Sequence, residues 1–505
     1  AIKDSVSRCM PAAAAPLVTA LLTGDKSGLP GGLYSALRRT GIAHVVAVSG
    51  LHVSFLAGLL TNLLGRRRRL SAVLGISLVF FFAAAVGNTP SVLRAAFMQS
   101  ILLLAPLLER EDDKATSLSL ALMLQLFQNP YAAASISLQL SFASVAGIYL
   151  FTGSLCRRWE AYIPRGKGLS VKLARLGVDT LATTLGAIVF TTPLTVYHFH
   201  TISLVSPLAN LLTLWAVSGA FLGGLAAALL GLILPGAAGV LGWMAALPVY
   251  WIQWVARQFS RLPFAAVGTD SAYLRLWLLL VYGILALWLL CLGKKRRPWL
   301  PAGVCVLCLC GALAFQIAGG TAGDLTVSVL DVGQGLSVAF YSGGRAALVD
   351  CGGTGRQDPG DQAADYLQSL GLLRLDVLIL THYHADHAGG VPQLLERLEV
   401  AQILLPDVTP EDPLRQEIVA LAGACGVDIV WITEDTALPL GDASLRVYPP
   451  YGAGTANEEG LSVLCTSGTF DALITGDMDT SIERRLVKYG DLPDIELLVA
   501  GHHGS

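Results

Sequence analysis

Long apolar runs constrain this chain more than any other feature. Crossing about 30 Å of hydrocarbon takes roughly 20 apolar residues of helix. That ruler picks out ten segments: Ile42 to Leu64, Leu70 to Val86, Val92 to Leu108, Ala115 to Phe127, Ala132 to Phe151, Gly177 to Tyr197, Ile202 to Leu234, Gly236 to Phe259, Tyr273 to Leu292 and Trp299 to Ala318. The fourth is short, and the seventh is long enough to be one span or two. Only 14% of residues are charged, where soluble domains carry about 25%, so much of the chain belongs in lipid.

Lys and Arg collect at Arg66 to Arg69, Arg157 to Arg175 and Lys294 to Arg297. With one pass per segment the three clusters share a face, which the positive-inside bias makes cytoplasmic. The last helix leaves from that face, so everything after Gly319 is expected outside the cytoplasm, provided the seventh segment is single. The stretch Glu109 to Lys114 reads as a solvated loop. A formal net charge of −2 gives no global basic signal, so a nucleic-acid partner would have to be met by local patches. The nine cysteines show no disulfide framework, and Cys305, Cys308 and Cys310 sit in an apolar run without a His partner, as packing thiols do. The chain starts at Ala1 and stops just after a His-His pair, so both ends read as cuts from a longer protein.

From Asp324 the texture changes to strand-like alternation at Leu325 to Leu330, glycine turns, a short polar helix near Gln362 to Leu370 and a buried strand from Asp376 to Leu380. The division expected is a polytopic α-helical membrane domain of about ten helices over residues 1–320, followed by an α/β domain over 321–505. After the apolar strand comes Thr381-His382-Tyr383-His384-Ala385-Asp386-His387, three imidazoles and a carboxylate on one loop. Such mixed N and O donors suit one or two divalent ions. Five of the chain's nine His lie in this domain. Two more apolar strands deliver Gly476-Asp477 and Gly501-His502-His503-Gly504-Ser505, so ligands converge on a common sheet edge.

The order HxHxDH, GD, HHGS, preceded by Asp331-Val332-Gly333-Gln334-Gly335 and Leu348-Val349-Asp350-Cys351-Gly352-Gly353, resembles the metallo-β-lactamase superfamily, an αββα sandwich. The resemblance implies that His382 and His384 bind one metal, Asp386 and His387 a second, that Asp477 bridges them, and that His502 completes the second site. It also implies a hydrolase in which Asp386 and Asp477 carry catalysis, with Asp386 able to orient water. One departure stands out: no His occurs between His387 and Asp477, so the first metal lacks a ligand. Asn457, Glu458 or Ser462 could fill the gap, or the site holds one ion, or manganese in place of zinc.

In the membrane part, His44 and His52 stand eight residues apart, slightly more than two helical turns, which puts both on one face of a continuous helix. Either they face a cavity or they hydrogen-bond neighbouring helices. This HxxxxSGLHV stretch, with Pro90-Ser91-Val92-Leu93-Arg94-Ala95, Leu138-Gln139-Leu140-Ser141-Phe142 and Ser206-Pro207-Leu208-Ala209-Asn210, resembles the competence domain of the ComEC family of DNA-internalisation proteins. The family implies a multi-pass inner-membrane channel that admits one DNA strand during natural transformation. Its extracytoplasmic nuclease domain acts on duplex and degrades the other strand. Membrane lipid, a separate DNA receptor and a cytoplasmic ATP-driven motor are the implied partners, and no Walker-type loop occurs here. Many members carry an oligonucleotide-binding domain ahead of the channel, expected here to be lost by truncation. Arg94 is the expected pore-lining residue, or else an interhelical anchor, with Asn210, His198 and His200 as further polar positions. Two other classes stay open: a channel whose soluble domain binds metal and DNA without cutting, and a membrane-tethered metallohydrolase acting on small esters.

Overall fold

The computed structural model describes residues 2–504 apart from 47, 65–67, 106–112, 165, 167, 263, 270–271, 292–298, 321–322, 356–357, 453–458 and 490. It divides into two compact units, Ala1–Val267 and Gly268–Ser505.

The first unit is helical. Three short helices open it, α1 (Ile2–Cys9), α2 (Ala15–Thr23) and α3 (Gly31–Arg39). A 20-residue ruler passes over them, yet Leu17, Val18, Leu21 and Leu37 are buried in the unit's core. α4 (Ala43–Val46) and α5 (Gly50–Leu64) follow. The segment read as one span from Ile42 is therefore interrupted, and the placing of His44 and His52 on one continuous helical face does not hold. Next come α6 (Arg68–Ala85), α7 (Pro90–Leu104) and α8 (Lys114–Gln128), the last capped by the Asp113 carboxylate. α9 (Ile136–Gly147) runs through a π-helical turn at Ile148–Thr152 into α10 (Gly153–Glu160).

α11 (Leu169–Phe199), α12 (Ser206–Gly231) and α13 (Pro235–Ser260) are the longest helices. The long seventh segment is thus strand at Ile202 and Ser203 and a single helix over Ser206–Gly231. β1 (Thr201–Ser203) and β2 (Ala266–Gly268) form a two-stranded ribbon. Among the described residues, four helical runs are long and apolar enough to cross a membrane: Ile136–Glu160, Leu169–Phe199, Ser206–Gly231 and Pro235–Ser260. α1 packs against α12, where the Ser5 hydroxyl donates to the Ala228 carbonyl at 2.7 Å.

The second unit begins with the helix pair α14 (Ala272–Cys291) and α15 (Trp299–Gly320), joined by a bond from Trp277 Nε1 to the Cys305 carbonyl at 2.9 Å. A four-layer sandwich follows. Its first sheet runs β3 (Thr326–Val329), β4 (Val338–Ser342), β5 (Arg345–Val349), β6 (Arg374–Ile379), β7 (Glu399–Pro406) and β8 (Asp428–Ile432), in that spatial order. From β5 to β8 the strands are parallel. The second sheet holds β9 (Thr436–Leu440), β10 (Ala443–Tyr448), β11 (Ser462–Ser467), β12 (Phe470–Ile474) and β13 (Leu497–Val499), with only the β12–β13 pair parallel.

Alternation along each strand sorts the layers. Val338, Phe340, Ala347 and Val349 meet Val447, Val463, Cys465 and Ile474 between the sheets. Ala339, Tyr341 and Leu348 face α16 (Pro359–Ser369), α18 (Val391–Arg397) and α19 (Pro413–Cys425) on the outside. Leu464 and Leu473 face α20 (Thr480–Tyr489). The one-turn helix α17 (Ala385–Ala388) carries the end of the HxHxDH motif. This is the metallo-β-lactamase arrangement expected from the motifs, set after a helical region.

Candidate metal centre

β5 and β6 are parallel neighbours, so their carboxyl ends deliver Asp350 and Thr381-His382 side by side. β12, in the facing sheet, delivers Gly476-Asp477. Gly476 holds φ +59°, and a Cβ there would sit 2.8 Å from that of Thr381, so glycine is what lets the two loops close together. The Thr381 carbonyl also accepts from Leu461 N at 2.9 Å, a second tie across the sandwich.

Hydrogen bonds fix which imidazole nitrogen faces the centre. Asp350, fully buried, accepts from Thr381 N and Thr381 Oγ1, both at 2.7 Å, and its Oδ2 lies 2.7 Å from His387 Nδ1. His387 therefore donates through Nδ1 and turns Nε2 inward, where it stands 3.0 Å from Asp477 Oδ1. The Thr381 hydroxyl, its proton committed to Asp350, accepts from His382 Nδ1 at 3.1 Å. His382 Nε2 then carries a lone pair, 3.8 Å from Asp477 Oδ2. Carboxylate-held imidazoles of this kind are the usual outer support of metal ligands.

Protonated, His387 is an imidazolium held between the Asp350 and Asp477 carboxylates; once that proton is lost, its Nε2 lone pair faces Asp477 and a metal cation can take the proton's place. Burial opposes charge on His387, but the Asp350 and Asp477 carboxylates outweigh it and lift the ring's pKa to about 10. Burial, with the neighbouring His387, pushes His382 down to about 4. An incoming metal ion must displace the His387 proton.

The ligand atoms of His382, His384 and Asp477 all lie within 4.8 Å of one another. His382 Nε2 is buried and has no hydrogen-bond partner, an arrangement costing about 1–3 kcal/mol unless a ligand takes the lone pair. The donor set fits a divalent ion. Asp386, half-buried, and His502, exposed, fall outside that group of three. The Asp386 carbonyl accepts from Leu336 N, and His502 N donates to the Gly476 carbonyl at 3.1 Å, so both stand on loops tied to the centre. Ser462 spends its hydroxyl on Met478 Sδ at 3.2 Å, and Asn457 and Glu458 lie outside the described residues. Asp350 was missed as a functional residue, although it too is a carboxylate directly after an apolar strand.

The membrane motifs also meet. Arg94 Nε donates to Ser141 Oγ at 2.7 Å, its guanidinium lies 5.7 Å from the Phe142 ring centre, and Ser91 Oγ is 3.2 Å from Ser141 Oγ. Arg94 Nη2 lies 3.1 Å from where a Cβ on Gly50 would be. Arg94 thus braces α7, α9 and the start of α5. His52 is fully buried at the helix break, accepting from Ser49 N at 3.1 Å and meeting Phe221 edge to face, while its Nε2 has no partner. His44 is exposed, with Nδ1 2.9 Å from the Gly41 carbonyl. Gly41, at φ +72°, packs against Ser206, which accepts from Asn210 Nδ2 at 3.4 Å. Asn210 Oδ1 is buried and without a partner. His198 Nε2 is 2.9 Å from Gln139 Oε1.

A family model described as Competence protein matches residues 21–296, more than half of the sequence. The chain belongs to the competence protein family. The metallo-β-lactamase superfamily model matches residues 330–503 of this competence protein. It is 28% identical over 516 residues to ComE operon protein 3 of Bacillus subtilis (strain 168), covering 97% of this chain and 64% of that one. Against Competence protein ComA of Neisseria gonorrhoeae it is 28% identical over 514 residues, covering 97% and 66%. The competence protein therefore spans just under two thirds of the length of these relatives. A shorter match, 46% identical over 68 residues, covers 13% of it and 22% of a hydroxyacylglutathione hydrolase of Xylella fastidiosa (strain 9a5c).

Proposed function

We propose that this chain is an inner-membrane channel for single-stranded DNA during natural transformation, and that its sheet domain is an extracytoplasmic, metal-dependent nuclease acting on the strand left outside. The observation that carries the reading is the group His382, His384 and Asp477, with His387 against Asp477, in a chain of the competence family.

Within the sheet domain, His382, His384, Asp477 and His387 would hold zinc or manganese, as one ion or two, with Asp386 and His502 completing a second position. A bound divalent ion brings the pKa of its water towards about 7 and polarises a phosphoryl oxygen. Asp350 keeps His387 in the tautomer that offers Nε2, and Thr381 does the same for His382. Asp386 orients the attacking water. In the membrane unit a phosphate at every nucleotide requires a lined, polar route. The α4–α5 break supports one, because non-helical backbone at membrane depth is tolerated where it is buried or lines a cavity. His44, His52, Arg94 and Asn210 would be the polar groups lining it, Arg94 from its position against Ser141 and Gly50. The extracytoplasmic placement rests on the Lys and Arg clusters and on one continuous helix over Ser206–Gly231. A receptor and an ATP-driven motor would be separate proteins.

A second reading, metal and DNA binding without cleavage, is favoured by the first position's missing His and by the commitment of Ser462 to Met478. Purified full-length protein incubated with labelled duplex and single-stranded DNA plus zinc, manganese or magnesium separates the two. Cleavage that Asp477→Ala abolishes is the expected result; binding without cleavage under every metal supports the second reading.

A further inference from the structure

Phosphate faces an electrostatic obstacle at the sheet domain. Residues 321–505 hold 27 of the chain's 36 acidic side chains and only 9 of its 34 basic ones. Most of those nine are committed elsewhere. Arg397 is buried against Asp361 and Asp365, Arg415 pairs with Asp407 under Trp431, and Arg446 pairs with Asp435. Arg345 and Arg374 line a cleft with Asp376 and Asp428, at the strand ends opposite the metal centre. Arg356 lies outside the described residues.

The remaining three, Arg484, Arg485 and Lys488, are exposed on α20, and among the described residues none is in an ion pair. α20 is amphipathic: Ile482 and Leu486 are buried against the sheet, so the cations stand on its open face. Exposed Val487 and Tyr489 lie beside them, with the Lys488 ammonium 4.9 Å from the Tyr489 ring centre. The helix starts three residues after Asp477. Arg485 Nη1 donates to the Tyr451 carbonyl at 2.7 Å, which fixes one end of the β10–β11 connection, and the other end is fixed to the metal loop by Leu461.

We propose that this face of α20 binds the phosphate backbone of nucleic acid and leads it to the metal group. This rests on the nuclease reading. A helix rise of about 1.5 Å per residue spreads the cations from Arg484 to Lys488 over roughly 6 Å, close to two phosphate intervals of about 3.4 Å on one strand. Tyr489 offers a base a stacking surface next to the cations.

The test uses the full chain in neutral-lipid nanodiscs with metal chelated, and reads the affinity for a short labelled single strand between about 50 and 200 mM salt. Replacing all three (Arg484→Gln, Arg485→Gln, Lys488→Gln) flattens the slope of log affinity against log salt by about 2 and weakens binding roughly ten- to a hundred-fold at low salt. The pair Arg484→Gln with Lys488→Gln spares the bond to Tyr451 and gives about two thirds of that change. Arg345→Gln with Arg374→Gln, equal in charge to that pair, keeps the wild-type slope. An unchanged slope in the triple variant overturns the proposal, as does an effect seen only in discs of anionic lipid, which would make this a lipid-facing surface. Hydrolysis of bis(p-nitrophenyl) phosphate by the wild type with zinc or manganese is measured alongside. Turnover with an unchanged slope overturns the strip and leaves the nuclease; a flattened slope without turnover leaves the strip as a binding surface and overturns the nuclease.

Discussion

Residues 1–320 carry 25 of the chain's 34 basic side chains and 9 of its 36 acidic ones, whereas residues 321–505 carry 9 basic and 27 acidic. The formal net charge of −2 is a near-cancellation of two opposite halves, and it conceals what a polyanion would meet on each. The basic side chains of the first part cluster between its apolar runs, while the second part is acidic apart from the basic face of α20. Buried polar groups differ in the same way. Arg94 is answered by a neutral hydroxyl and an aromatic face, which makes a brace. Asp350, His387 and Asp477 are crowded so that either a proton on His387 or a metal ion stands between the carboxylates, which makes an exchangeable site.

The strongest way to break this comparison is Asp477→Ala. The variant is expected to lose bound metal and on the order of 10³-fold in phosphodiester hydrolysis, the equivalent of several kcal/mol of charge stabilisation. Elemental analysis beside the rate measurement checks it, and a normal metal content would show that the cluster is only a buried ion network. Next in size, Asp350→Asn keeps the shape but weakens the acceptor for His387 Nδ1. Metal affinity should fall about 10- to 100-fold, as when outer carboxylates of metal sites are removed, and a competitive chelator titration reads it.

Arg94 sharpens the other half. Arg94→Lys keeps a positive charge but cannot reproduce both the Nε bond to Ser141 and the planar contact with Phe142. As a brace, the variant loses about 1–3 kcal/mol through the lost charge-assisted bond and lost packing, seen as a lower unfolding temperature in detergent together with poor DNA uptake. Uptake at the wild-type level would mean that charge alone matters.

These contrasts were unevenly legible in the residues. Periodicity is local, so the ten apolar runs and the change of texture at Asp324 could be read directly, as could the strand-then-ligand pattern at His382 and Asp477. Helices α1 to α3 were not legible as part of the core because each is too short to register against a membrane-length ruler. The interruption at Ser49 was hidden because apolar periodicity runs straight through it: the bond from the Ser49 amide to His52 is local but leaves no mark on hydropathy, and Arg94, which packs at Gly50, lies 44 residues on. Asp350 escaped for the same reason, since its partner His387 lies 37 residues on and only the parallel pairing of β5 and β6 brings their ends together.

The smallest effect separates carboxylates inside the acidic domain from one another. Asp358 caps α16 by accepting from Gly360 N and Asp361 N, yet burial, helped by the nearby Asp361, raises its pKa from 3.8 to about 6. A carboxyl whose folded pKa is raised stabilises the fold fully below the unfolded value, and that contribution is lost as pH rises through the folded one. Stability should therefore drain away between about pH 4 and pH 6 from this group alone. Asp358→Asn stays neutral and keeps a capping oxygen, so it removes the drain. With partial exposure screening the effect, the variant should gain about 1 kcal/mol at pH 7 and nearly nothing at pH 4. Hydrogen exchange of the α16 amides at the two pH values checks the sign. A variant less stable at pH 7 would show that the charged cap outweighs its burial, which would place Asp358 with the helix-stabilising carboxylates such as Asp412 at the head of α19.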